Sequence, residues 1–266
     1  MKVFVLTIHN PKFSMGPTVR LRSLTENAPK DIEFTYPKFK EKTSKIITFK
    51  TLLKIIWHII KNYKKIDLIH LVIPPSTPGL IALFAKKILK IPYIVDVGDP
   101  PAENKALIKG LNLNSFKFKT AKFIDKLIYK NASHIILTSP ELKKYISTNK
   151  ETTTILTAQK TENINTKIPE KKCVFLGHYG PLQNINYIIE IFEEAIKKDP
   201  EITLDIIGVG TATQTANPNI KFLSTVPYSE IPSIIQRYDM GIVSLDLHQT
   251  LDYAIPTKLL TYLSYG

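Results

Sequence analysis

An α/β protein of two doubly wound parallel-sheet units is what these 266 residues predict. Three observations lead there: strand-like and helix-like segments alternate from the first residue, the alternation pauses over a polar stretch, and it then restarts. KVFVLT (2–7) is a short apolar run rich in β-formers. Gly16-Pro17 follows, Gly permitting a turn and Pro fitting the first turn of a helix through TVRLRSL. DLIHLV (67–72), PYIVDV (92–97) and SHIILT (133–138) read as buried strands, separated by helical runs at roughly 50–64, 78–89 and 116–131. Ser139-Pro140-Glu141 has the order N-cap, first-turn proline, first-turn acid, so an α-helix is expected directly after it.

From about Glu151 to Lys172 the chain is polar and, apart from TTTIL, lacks strong periodicity; it reads as a linker. CVFLG (173–177) restarts the series, with a helix from about Gln183 to Lys198. Strands follow in ITLDIIG (202–208), IKFL (220–223) and MGIVSL (240–245), and a last helix runs from Thr257 to Tyr265. Strands alternating with helices of this length make βαβ units. Two such series imply two Rossmann-like domains facing each other, residues 1–160 and 161–266. Ligands in such sheets bind beyond the carboxyl ends of the strands, which makes the interdomain cleft the expected site.

Composition narrows the partners. A single cysteine, Cys173, excludes an internal disulfide and a cysteine-cluster zinc site, and fits a reducing cytoplasm. The opening MKVFVLTIHNP is too short and interrupted for a secretion signal, and no apolar run reaches 18 residues. The richest, LLKIIWHII, is broken by Lys54 and His58. A soluble or peripheral protein is expected. The net charge of +13 is uneven: residues 1–150 carry 27 Lys+Arg against 10 Asp+Glu, whereas residues 151–266 carry 9 against 13. Either the halves meet different partners, or the lysines occupy solvated faces. No aromatic-plus-basic pattern favours nucleic acid.

Several residues have chemistry of their own. Gly177 and Gly180 follow a strand, where glycine lets backbone N–H groups approach a ligand; a plain strand-to-helix turn would need them too. Gly208 and Gly210 form only a Gly-x-Gly. Pro256-Thr257-Lys258 is stronger: Thr257 can cap a helix whose free N–H groups face outward, with the Lys258 charge beside them, as a diphosphate requires. Asp239 reads as structural. No Asp-x-Asp and no His/Asp/Glu cluster has metal-ligand spacing, so neither a metal nor another cofactor is expected.

Four blocks of the second half resemble, in order, the nucleotide-binding domain of glycosyltransferase family four, which has the B-type fold. They are VFLGHYGPLQNINYIIEIFEEA (174–195), LDIIGVG (204–210), VPYSEIPSIIQRYDMGIVSL (226–245) and IPTKLLTYLSYG (255–266). Residues 67–101 and 125–146 are similar to its acceptor domain. The resemblance implies donor binding by Gly177, His178, Gly180, Gln183, Gly208, Gly210, Thr257, Lys258 and Thr261. It implies Asp99 and His70 as catalytic candidates, and Gly16 and Arg20 on the acceptor side. The implied activity is transfer of a hexosyl or N-acetylhexosaminyl group from a nucleotide-sugar to a lipid-linked or saccharide acceptor, with retention and without metal.

The chain departs from the family in three places. Thr261 stands where a ribose-binding glutamate is usual, His178 and Gln183 where Arg and Lys are common, and the acceptor-domain histidine has no clean match. His70 lies two residues before that position, and Asp99 beside Gly98, where another version has His. These departures leave a second reading open, a degenerate member acting as a binding or partner subunit. A basic acceptor domain would also suit an anionic membrane surface on the inner face. FKTLLKIIWHIIKNYKK (49–65) is the best candidate for contact, or else an ordinary helix packed on the sheet. The family continues past the glycine matching Gly266, so the second domain is expected to be truncated and the chain poorly stable or associated with another polypeptide.

Overall fold

The computed structural model describes all residues except 9, 11–15, 39–48, 73–75, 147, 159–160, 162–169, 180–182, 213–214, 246–251 and 266. The chain forms two units, residues 1–157 with Asp252–Ala254, and residues 158–251 with 255–266. Capture of residues 252–254 by the first unit has no counterpart in the sequence reading.

In the first unit, six parallel strands stand in the order β2-β1-β3-β4-β5-β6. They are β1 (Lys2–Leu6), β2 (Glu33–Thr35), β3 (Leu68–Val72), β4 (Tyr93–Val97), β5 (His134–Leu137) and β6 (Thr152–Thr154). Side chains alternate across a strand, so each strand feeds two layers. Phe4, Leu6, Ile69, Leu71, Tyr93, Val95, Ile135 and Leu137 face α2 (Phe49–Asn62), α3 (Ser76–Leu89) and α5 (Phe116–Asn131). On the other face Val5 and Val72 meet Leu21 of α1 (Gly16–Glu26). Gly16 thus opens the first helix.

Three local elements differ from what the sequence predicts. The expected α-helix after Ser139 is a 3-10 turn, Pro140–Tyr145, because Ser139 does not cap it: the hydroxyl donates instead to the Tyr253 carbonyl at 2.8 Å. Thr152–Thr154, read as linker, is the sixth strand, its β-branched residues paired in register with Ile135–Leu137. A helix missing from the sequence reading, α4 (Pro101–Lys109), begins just after the Asp99 loop. It is capped by a remote side chain: Asp125 on α5 accepts from Ala102 N at 3.1 Å, and burial pushes the Asp125 carboxyl up to about 7.

The second unit has the strand order β10-β7-β8-β9, all parallel. Its strands are β7 (Lys172–Leu176), β8 (Thr203–Ile207), β9 (Ile220–Leu223) and β10 (Met240–Gly241). MGIVSL was expected to be strand throughout; only Met240–Gly241 joins the ladder, followed by a bond from Ile242 N to Val174 O at 2.7 Å. Phe175, Leu204 and Ile206 pack under α6 (Ile185–Lys198). Val174 and Ile207 pack under α7 (Ile231–Ile235) and α8 (Thr257–Tyr265) on the opposite face. Helices on both faces of a parallel sheet make this unit doubly wound. Asp239 is structural, accepting from Glu170 N and Lys172 N at 2.9 Å each. No helix among the described residues is long and apolar enough to cross a membrane.

Candidate functional site

In the second unit, chemistry gathers beyond the carboxyl ends of β7 and β8. Gly177 leaves β7 at φ 114°, a backbone setting that costs a side-chain residue strain. Its N–H donates to Ile207 O at 2.8 Å, and Tyr179 N donates to Val209 O at 3.1 Å, so the two strand ends continue side by side. At Gly208 a Cβ would lie 2.0 Å from Gly177 O, and at Gly210 2.0 Å from Tyr179 O. Close approach of this chain therefore accounts for both glycines, whatever else they do for a ligand.

An open cavity of about 440 Å³ lies here, lined by His178, Tyr179, Asn184, Ile185, Asn186, Gly210 and Thr211. His178 is exposed at its rim, Gln183 is half-buried just before Asn184, and Gly180 lies outside the described residues. The sequence reading missed Asn184 and Asn186. Their position at the start of α6 could have flagged them, since Asn184 precedes the helix with φ 46°, a left-handed setting that asparagine tolerates.

Helix α8 is fastened to the same sheet by Tyr262. Its hydroxyl accepts from Leu176 N at 2.9 Å, and its ring fills the space where a Gly241 side chain would stand. Burial pushes that hydroxyl up to about 12. Thr257 is the first helical residue, so the capping position falls to Pro256, which has no side-chain acceptor to offer. The Thr261 hydroxyl, buried, donates back to Thr257 O at 3.0 Å.

Lys258 is the unusual group. Its Nζ stands 3.7 Å from the centroid of the Phe175 ring, buried and without a hydrogen-bond partner. The ring face offers some compensation to the charge. Burial still pulls the amine down to about 8, because it favours the neutral form. A charged group held dry beside a helix start is poised to gain when an anion arrives.

In the first unit the candidates separate. Arg20 and Asp96 are 2% and 0% exposed and form a forked ion pair, Nε to Oδ1 at 2.9 Å and Nη2 to Oδ1 at 2.7 Å. Arg20 Nη1 reaches onward to Ile155 O at 2.7 Å, tying α1 to β4 and to the chain after β6. His70 Nε2 lies 3.7 Å from Asp96 Oδ2, an electrostatic approach without a hydrogen bond. Burial alone would raise the Asp96 carboxyl; the facing His70 ring and Arg20 guanidinium together hold it below its ordinary range. His70 and Arg20 thus serve a buried brace. Asp96, which the sequence reading missed, is its centre. Asp99, just beyond β4, is the candidate that keeps a perturbed carboxyl outside this brace, raised by desolvation. Among the described residues no group of three metal-ligating side chains converges.

No protein-family model and no curated protein matches the sequence. Solved structures do. Sucrose-phosphate synthase from Thermosynechococcus elongatus superposes with a TM-score of 0.63 at 14% identity, covering 91% of this chain and 75% of that one. HepE from Anabaena, in complex with UDP-glucose, gives 0.59 at 12% identity, with 92% and 74% covered. The lipopolysaccharide outer core galactosyltransferase WaaB, in its apo form, gives 0.55 at 12% identity, with 100% and 78% covered. Identities this low carry the fold alone. With its two parallel-sheet units, the chain has the B-type glycosyltransferase fold.

Proposed function

We propose that the protein is a nucleotide-sugar-dependent glycosyltransferase of family-four type, moving a hexosyl or N-acetylhexosaminyl group to a lipid-linked or saccharide acceptor. One observation carries this: the start of α8, the positive end of that helix's dipole, carries a dry, unpartnered Lys258 amine in the unit that holds the β7–β8 cavity. That combination suits the diphosphate of a donor. Helix end and amine together would stabilise the departing nucleoside diphosphate without a metal. With the leaving group so held, the diphosphate can assist deprotonation of the incoming hydroxyl on the same face, which retains the anomeric configuration. Asp99 is the carboxyl left to the acceptor side. The UDP-glucose bound in HepE and the galactosyl transfer in the name of WaaB support a nucleotide-sugar donor. Calorimetric titration with UDP- and GDP-sugars should give saturable binding, and NMR of a turnover mixture should show product with the donor's anomeric configuration. No binding to any nucleotide-sugar overturns the reading; binding without turnover turns it toward a non-catalytic member.

The basic half supports a membrane partner. On α2, Ile55 and Ile59 pack on the sheet, while Phe49, Leu53, Trp57 and Ile60 lie outward, Trp57 67% exposed. Lys50, Lys54 and Lys61 flank that row, exposed. An apolar row with adjoining lysines suits the surface of an anionic bilayer. The chain has one tryptophan, so its fluorescence reports this helix alone. Vesicles containing phosphatidylglycerol should shift Trp57 emission to the blue and sediment with the protein, phosphatidylcholine vesicles should not, and Trp57→Gln should weaken the sedimentation several-fold. Equal behaviour toward both lipids removes the membrane from the proposal.

A further inference from the structure

Three residues from the far end of the chain are built into the first unit. Asp252–Ala254 belong to it, while the residues before and after them form the second. Tyr253 is buried in the core that includes Val97, Leu137 and Leu142. The Tyr145 ring meets it edge-on, with centroids 5.4 Å apart. Ser139 Oγ donates to the Tyr253 carbonyl at 2.8 Å, across 114 residues of sequence. Asp252 is gripped as well: Tyr145 OH donates to its Oδ1 at 2.7 Å, and Lys144 Nζ stands 3.2 Å from its Oδ2.

A tyrosine buried only to fill space would need none of the polar partners. Here the side chain, the carbonyl and the preceding carboxylate are each held, so the direction of the backbone is fixed and not just the ring. The surroundings of Tyr253 matter too. Thr138, next to the Ser139 that binds the Tyr253 carbonyl, donates from its hydroxyl to Gly98 O at 3.2 Å, so the docked residues stand beside the loop that opens α4, and the Asp99 carboxyl of that loop adds to burial in raising the Tyr253 hydroxyl. On the other side the chain has only Ile255 and Pro256 before α8 begins at Thr257, with Lys258 next. Proline fixes its own φ and restricts the residue before it, so this connection is short and stiff.

We propose that Asp252–Ala254 is a positioning clasp: docked beside the Asp99 loop, it holds the chain that enters α8, so that a nucleotide at the start of α8 and the setting of the Asp99 loop are coupled. The nucleotide half rests on the donor-binding reading above, whereas the clasp itself does not. Coupling here means a connection with a held and a released arrangement that both ends bias. The exposed grip on Asp252 is the part that can release, since hydrogen bonds facing water exchange at little cost while Tyr253 stays in the core.

Hydrogen exchange on the full chain tests this, using Asp252→Ala to remove the exposed grip and Tyr145→Phe to remove one hydroxyl while keeping the ring. UDP and GDP serve as probes. In the unaltered protein, nucleotide should slow exchange at residues 257–262 and also at 98–103. In Asp252→Ala, exchange of the ligand-free protein should rise several-fold at both segments. Nucleotide should still protect 257–262 but no longer 98–103, and Tyr145→Phe should give a smaller change in the same direction. Unchanged ligand-free exchange at both segments in Asp252→Ala overturns the clasp, as does undiminished nucleotide protection of 98–103. If neither nucleotide protects anything in the unaltered protein, the donor reading fails, and the ligand-free comparison still decides the clasp.

Discussion

Asp96→Ala is expected to lower the stability of the first unit by roughly 3–5 kcal/mol, because it leaves a buried guanidinium without its counter-charge. Arg20 is 2% exposed, and both Nε and Nη2 point at Asp96. Arg20→Met should cost a similar amount by stranding the carboxylate beside His70, 3.7 Å away. The double variant Arg20→Met/Asp96→Leu should recover much of the loss, since two apolar side chains remove both desolvation penalties together. Urea unfolding followed through Trp57, which lies in the first unit, measures each variant without relying on a single transition for the whole chain. The pH dependence adds a second check. The folded-state pKa of Asp96 is depressed, so its contribution is present above the unfolded carboxylate value of about 3.9 and disappears as pH falls through the lower folded value. Acid loss in that window should be absent from the double variant. A double variant no more stable than either single one would show that Arg20 and Asp96 do not act as one brace.

The long regular elements were legible because burial leaves a period in the sequence. DLIHLV, PYIVDV and CVFLG became β3, β4 and β7, and the run from Thr257 to Tyr265 became α8 with the same bounds. β2 and β6 are three residues each, too short for any period to show, and they exist because an open sheet edge was there to pair with. The cap of α4 comes from Asp125, more than twenty residues away, so no local cap signal could mark its start. The site divides in the same way. Lys258 beside a helix start could be read from Pro-Thr-Lys, whose chemistry is local. What Lys258 does before a ligand arrives could not, because Phe175 lies on a strand far away in sequence and no pattern links them. Asp96 and Tyr253 were missed for one reason: each acts through partners 76 and 114 residues distant. The two glycines after β8 were legible as glycines, but their need arises from Gly177 O and Tyr179 O, which only the paired strand ends reveal.

Lys258→Met should move stability and donor affinity in opposite directions. Burial holds the amine at about 8 against an ordinary 10.5, so the folded protein binds fewer protons than the unfolded chain between those values. The amine therefore penalises the fold fully at and below pH 7, and the penalty fades as pH rises from 8 to 10.5. Methionine keeps the stem and the contact with Phe175 while removing the charge. The variant should be more stable at pH 7, by up to about 3 kcal/mol, with the advantage closing toward pH 10.5. Binding should suffer instead. A charged hydrogen bond to a diphosphate contributes about 1.5–3 kcal/mol, so the Kd for a bound UDP- or GDP-sugar should rise about tenfold to 150-fold. The unaltered protein should bind its donor about tenfold more weakly at pH 9 than at pH 7, since the amine must first recover a proton, and Lys258→Met should lose that dependence. A variant that gains stability yet binds the donor as before would place the diphosphate away from this amine. One that loses both would mean that the charge on Phe175 is part of the fold, and that the start of α8 was never held ready for an anion.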